Sequence, residues 1–159
     1  MNSKKAQVWY IDLIIGLLIF TLAVVMFQNV FGNLSAVDAS MIIDLYGDAK
    51  SISSSLLSKG YPENWNNATI ERIGIADNYR INSTKLDNFM NLSYNRTRNL
   101  LGTNYEYWVF FEDRNHTLIQ INGKNGTGYK YGAPEKLAQV VRLVVKDSQI
   151  VRMVVQVWH

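Results

Sequence analysis

Few side chains here can do covalent or acid–base chemistry. The 159-residue chain has no cysteine and two histidines, His116 and His159, which excludes thiol catalysis and cysteine-based metal sites. Neither histidine stands at a recognised spacing from a nucleophile or a second ligand. Glu112-Asp113 reads as the solvated end of a strand, not as an acid/base pair. The segment Asn122-Gly-Lys-Asn-Gly-Thr-Gly128 has glycines and a lysine but lacks the Gly-Lys-Ser/Thr ending of a phosphate cradle, and no helix follows it at once. It reads as a loop. The expectation is a chain that is not an enzyme and takes no cofactor or metal.

Two other kinds of polar residue carry a functional signal. Asp12 stands one turn into an otherwise apolar run, where a carboxylate is expensive unless it is paired. Asparagine is abundant, and seven of the sixteen open Asn-x-Ser/Thr sequons: Asn33, Asn67, Asn82, Asn91, Asn95, Asn115 and Asn125. Chance predicts roughly two. Asn33, Asn67, Asn82, Asn115 and Asn125 are the candidate glycosylation sites of a surface protein. Asn91 and Asn95 fall within an expected helix and are weaker candidates.

The elements that must position these residues begin with the apolar run. Leu13 to Val37 contains no charge, and as a helix it would span about 37 Å, enough for a hydrocarbon core. Lys4 and Lys5 lie on one side and no basic cluster follows, so the positive-inside bias leaves the N-terminus cytoplasmic and the rest outside. Three readings fit this head. One is a plain single-pass anchor, and another a cleaved secretory signal ending near Val37-Asp38-Ala39, although the run exceeds the usual 7–15-residue apolar region. The third is a prepilin-type head cut on the cytoplasmic side, before the apolar helix.

Lys4-Lys5-Ala6 followed by Gln7 resembles the class III signal sequences of archaeal type IV pilin-like proteins. The resemblance implies cleavage between Ala6 and Gln7 by a prepilin-type peptidase, with like subunits as partners packed through the N-terminal helix. That family commonly places serine third and glutamate fifth in the mature chain. Here Trp9 and Ile11 occupy those slots and the acid is Asp12, giving a variant head, Gln-x-Trp-x-x-Asp. On this reading the new ammonium of Gln7 on an adjacent subunit pairs with Asp12 and sets the axial register. The alternative function is a membrane-anchored extracellular binding or sensing module that is neither processed nor assembled.

Beyond Val37, Met41, Ile42, Leu45, Ala49, Ile52, Leu56 and Leu57 fall at helical spacing, with Asp44, Asp48, Lys50 and serines opposite. Gly60-Tyr61-Pro62 stops that helix, and Tyr61 and Trp65 are expected to fold back onto the head. The Gly-x-Pro-x-x-Trp turn is similar to one in archaeal pilin-like ectodomains. A short strand is expected over Thr69–Ala76, then a helix from Thr84 to Leu101 capped by Asn82 or Ser83.

Alternation predicts a strand over Tyr105–Glu112, with Tyr105, Tyr107, Val109 and Phe111 on one side, and a hairpin through Thr117–Ile121. Pro134 opens a helical turn. A final hairpin with the three-residue loop Asp147–Gln149 would bury Val141, Leu143, Val145, Val151, Met153 and Val155 together.

The expected fold class is therefore α+β. A long N-terminal helix, half membrane-spanning and half amphipathic, packs against a small antiparallel-sheet head, and by resemblance this is pilin-like. Residues 1–6 form the leader, 7–37 the transmembrane and assembly helix, and 38–159 the extracellular head. Apart from Lys4, Lys5 and Asp12 the chain has fourteen basic and twelve acidic residues, a near-balance that points away from nucleic acid.

Overall fold

Helix α1, Ser3–Leu56, is the longest element. The computed structural model describes residues 3–130, 132 and 134–159, with the side chains of 3–9 and 30–38 outside that description. The chain divides into two units, 1–41 and 42–159.

In the first unit, Tyr10–Asn29 is long and apolar enough to cross a membrane, and none of it is buried. Twenty helical residues rise about 30 Å, matching a hydrocarbon core. Thr21, a hydroxyl within this stretch, donates to the Leu17 carbonyl at 2.8 Å and so hides its polarity.

In the second unit, α1 contributes Leu45, Ala49, Ile52, Ser53 and Leu56, all essentially inaccessible to solvent. The steps of four, three and one follow the helical period. Each large apolar side chain contributes roughly 1.5–3 kcal/mol by leaving water. The buried face starts later than its spacing predicts, because Ile42 and Ile43 are exposed. Ser53 was expected on the polar face and is instead buried. Its hydroxyl donates to Lys50 O at 2.9 Å and accepts from Arg142 Nε at 3.2 Å, which satisfies it there.

Gly60 ends the helical region with a φ of 75°, the left-handed conformation that favours glycine. Trp65 folds inward and donates from Nε1 to Gly74 O at 2.8 Å. Tyr61, expected to do the same, stays exposed. Residues 69–75 form no strand. They make one isolated bridge, Tyr61 to Arg72, while Ile70, Ile73 and Ile75 still enter the core. The backbone here bonds to the end of α1 instead of to a neighbouring strand: Ile75 N donates to Leu56 O at 2.9 Å and Ala76 N to Ser58 O at 3.2 Å.

Strands β1 (Ala76–Asp77) and β2 (Arg80–Ile81) follow. The expected helix after Asn82 is two helices, α2 (Ser83–Asn91) and α3 (Tyr94–Leu101). Leu92 and Ser93 are extended between them, so Leu92 reaches the core while Ser93 is exposed. Asn and Ser compete for backbone hydrogen bonds and weaken a helix at this point. Gly102 ends α3.

The sheet comprises β1 and β2, then β3 (Glu106–Glu112), β4 (Thr127–Gly128), β5 (Leu137–Lys146) and β6 (Gln149–Trp158), in the order β1-β2-β5-β6-β3-β4. Every neighbouring pair is antiparallel except β2 with β5. The α+β class with a long N-terminal helix is what the chain adopts. Thr117–Ile121 forms bridges but no full strand, and Pro134 opens no helical turn.

The β5–β6 hairpin departs from its expected register. Its loop is two residues, Asp147 and Ser148, both at positive φ (49° and 64°), and Lys146 pairs with Gln149. Two successive left-handed residues match the twist of the strands better than a three-residue loop does. The core side of β5 consequently carries Ala138, Val140 and Val144, joined by Val151, Met153, Val155 and Val157 of β6. Val141 and Leu143 point the other way and are exposed.

Tyr107, Val109 and Phe111 of β3 share the core side. The other side of β3 is covered as well, by a second cluster of Trp108, Phe110, Val154 and Trp158 with Leu137. Strand β3 is thus buried on both faces. Gly126 and Gly128 of the Asn122–Gly128 loop serve this arrangement. A Cβ on Gly126 would sit 2.5 Å from Trp108 Nε1, and one on Gly128 would sit 2.2 Å from Tyr107 O. They let β4 lie flush on β3.

Candidate membrane helix and surface asparagines

Asp12 lies in an exposed stretch of α1, flanked by exposed Tyr10, Ile11 and Leu13. One turn on, Gly16 has nothing within 4 Å of where a Cβ would be. Small residues at such positions let another helix approach closely. Lys4, Lys5, Ala6 and Gln7 belong to α1, but their side chains lie outside the described residues, as does that of Asn33.

The other six sequon asparagines, Asn67, Asn82, Asn91, Asn95, Asn115 and Asn125, are all exposed. Asn67 sits in a turn held by Asn66, whose Oδ1 accepts from Ala68 N at 2.8 Å and Thr69 N at 3.1 Å. Asn82 is the N-cap of α2, its Oδ1 accepting from Lys85 N at 3.1 Å. That bond leaves the amide nitrogen, the atom a glycan would take, uninvolved. Asn91 closes α2 and accepts from Lys124 Nζ at 3.2 Å. Asn115 occupies the turn after β3, where its N–H donates to Asp113 Oδ1 at 2.8 Å. Asn125 is open to solvent, but Thr127, the hydroxyl residue of its sequon, is buried in β4.

The two histidines sit on different strand ends. His116 lies beside Glu112 and Arg152, and His159 meets the Tyr105 ring edge-on at 6.2 Å. Among the described residues no three His, Cys, Asp or Glu side chains group to hold a metal.

The densest polar network went unforeseen in the sequence. Tyr107 and Thr97 share a hydroxyl–hydroxyl hydrogen bond, Tyr94 donates to Glu106, and Arg98 bonds Glu106 at 3.3 Å. The rings of Tyr94 and Tyr107 stack at 5.6 Å. Burial pushes Tyr107 up to about 12, and burial with the Glu106 carboxylate raises Tyr94 further. Both phenols therefore stay protonated at ordinary pH and tie α3 to β3. A helical face reading Tyr94, Thr97, Arg98 beside a Glu-Tyr strand start was the available signal. Nothing in it distinguishes a polar tie from solvation.

Compared with family models, curated proteins and solved structures, the chain gives no match.

Proposed function

We propose that the chain is a pilin-like structural subunit of a cell-surface filament or pseudopilus, held in the membrane and assembled through its N-terminal helix. The observation that carries this reading is the stretch Tyr10–Asn29, apolar and unburied over its whole length, with Asp12 near its start. An isolated apolar helix needs lipid, other helices, or both in turn. The basic residues Lys4 and Lys5 orient the N-terminus to the cytoplasm, and a prepilin-type peptidase cuts between Ala6 and Gln7. The released ammonium of Gln7 then offers a partner for Asp12 of a neighbouring subunit, which offsets the penalty of a lone carboxylate in that setting. The head stands outside the cell, and exposed asparagines at positions 67, 82, 115 and 125 favour a glycosylated surface.

Mass spectrometry of the mature N-terminus tests the reading. A chain beginning at Gln7 is expected. A chain that keeps Met1 or Ser3 overturns the processing step and leaves an anchored extracellular module in its place.

A further inference from the structure

Strand β5 has β6 along one side for its full length, from Leu137 opposite Trp158 to Lys146 opposite Gln149. On its other side β2 meets it at a single position, Val145 opposite Arg80. From Leu137 to Leu143 no strand among the described residues covers this edge. Val145 N donates away from β6, to Tyr79 O at 2.8 Å. Because backbone groups alternate sides along a strand, those of Leu137, Gln139, Val141 and Leu143 also face outward.

Natural edges are usually blunted by lysine, proline, a bulge or a covering loop. This one has none. Its outward residues carry Gln139, Val141 and Leu143 into solvent, Leu143 at 64% exposure, and Arg142 turns away to Ser53 on the core side. Nor does any of the seven sequons fall on β5 or β6.

We propose that this edge pairs antiparallel with the same edge of a second copy of the chain, with Val140 on the two-fold axis. An open edge recognises an extended backbone and little else. A two-fold along the strands would set odd residues level with odd residues in a parallel pair, whose slanted bonds run to the flanking positions. An antiparallel pair instead lets facing odd residues exchange both bonds, which makes β5 complementary to itself. In this register Gln139 meets the second copy's Val141 and Leu137 meets its Leu143, two backbone hydrogen bonds to each such pair.

Leu143 is then covered by a leucine, and each Arg142 stands opposite Ala138, four residues along from the other Arg142. Shifting one step, to centre on Val141, sets the two arginines diagonal to each other. It also brings Leu137 against Val145, where β2 already sits. The pair is isologous and closes on itself, so it is a contact between two heads that does not propagate a filament. It is independent of how the N-terminal helix is processed.

The absence of cysteine makes the test clean. Full-length Gln139→Cys and Val141→Cys chains, differently tagged, are mixed in detergent micelles and mildly oxidised. The mixed disulfide dimer should form roughly tenfold faster than either self-dimer, since only facing residues come within disulfide reach. Ile150→Cys, exposed on the same sheet side but on β6, should stay monomeric. Adding Val141→Pro to the Gln139→Cys chain, or Leu143→Lys to either, should abolish the dimer while the thermal midpoint holds. Proline at an outward position spares the bonds to β6. Absence of a dimer, equal rates for all pairings including Ile150→Cys, or capture of an unrelated protein overturns the proposal. A mature chain beginning at Met1 would leave it untouched.

Discussion

Arg142 on β5 donates from Nε to the Ser53 hydroxyl of α1 at 3.2 Å, a polar contact between the helix and the core side of the sheet. Ser53 is fully buried, and Arg142 lies between Val140 and Val144 on a face otherwise apolar. The arginine stem packs on that face while its head stays partly solvated. Arg142→Ala should destabilise the head by about 1–2 kcal/mol and Ser53→Ala by about 1 kcal/mol. The double variant should cost less than their sum. Thermal unfolding of the four proteins checks this.

On the pilin-like reading proposed above, Asp12→Ala separates assembly from anchoring. Filament yield should collapse while surface display of the head is unchanged, because the substitution removes a carboxylate and keeps the apolar span. Sedimentation of sheared surface material and labelling of intact cells measure the two. Unchanged filament yield would remove Asp12 from the assembly mechanism.

Alkaline stability should report Tyr107. Its folded pKa is raised from 10.0 to about 12, so its contribution is complete below the unfolded value. The contribution is lost as pH climbs from about 10 towards 12, at up to roughly 1.4 kcal/mol per unit. Tyr94 shifts in the same direction. Tyr107→Phe should therefore flatten the fall in denaturation midpoint over that range, at the expense of about 1 kcal/mol at neutral pH from the lost bond to Thr97.

Two glycines should respond oppositely to alanine. At Gly74 a Cβ would sit 2.2 Å from Gly60 N and 2.4 Å from Ser58 O, both backbone atoms in a tight crossing. Gly74→Ala should destabilise by several kcal/mol, or about 3 or more, as overpacking without relief does. Gly47, inside α1, has open space around it, and Gly47→Ala should stabilise by about 0.5–1 kcal/mol. Parallel thermal melts decide both.

Asn82 has two possible roles that substitution can separate. Asn82→Asp keeps the oxygen that caps α2 and deletes the sequon, so stability should hold while any glycan mass at that site disappears. Thr84→Ala should give the same result. Asn82→Ala should lose the mass and, in addition, about 1 kcal/mol. Intact-mass measurement beside melting curves reads out both effects.

What could be read from sequence was set by how many forces agreed at each position. The apolar run after Asp12, the helical spacing from Leu45 to Leu56 and the stop at Gly60 each had one strong cause, and all are present in the fold. The β5–β6 hairpin had two competing apolar faces: Val141, Leu143 and Val145 against Val140 and Val144. Counting apolar residues favoured the wrong set. The turn decided the register, since Asp147 and Ser148 both accept left-handed backbone and permit the two-residue loop.

The strand expected over Thr69–Ala76 is absent up to Ile75 because its backbone bonds elsewhere: Ile70 N to Asn66 O, Ile75 N to Leu56 O at the end of α1, and Ile73 O to the Ser55 hydroxyl. The residues of the expected processing site, Lys4 to Gln7, follow from the resemblance of the head alone.

Like the Asn95 sequon, whose Thr97 is fully buried, that of Asn125 has a property those of Asn67, Asn82 and Asn115 lack. Its hydroxyl residue, Thr127, is buried in β4 against β3, whereas Thr69, Thr84 and Thr117 remain at the surface. An enzyme that must grip the threonine to modify the asparagine has to arrive before that strand docks. On a chain that meets such an enzyme, occupancy at Asn125 is a timestamp. It records whether sugar was added before or after the head closed, while occupancy at Asn67 or Asn115 records only that the enzyme was present.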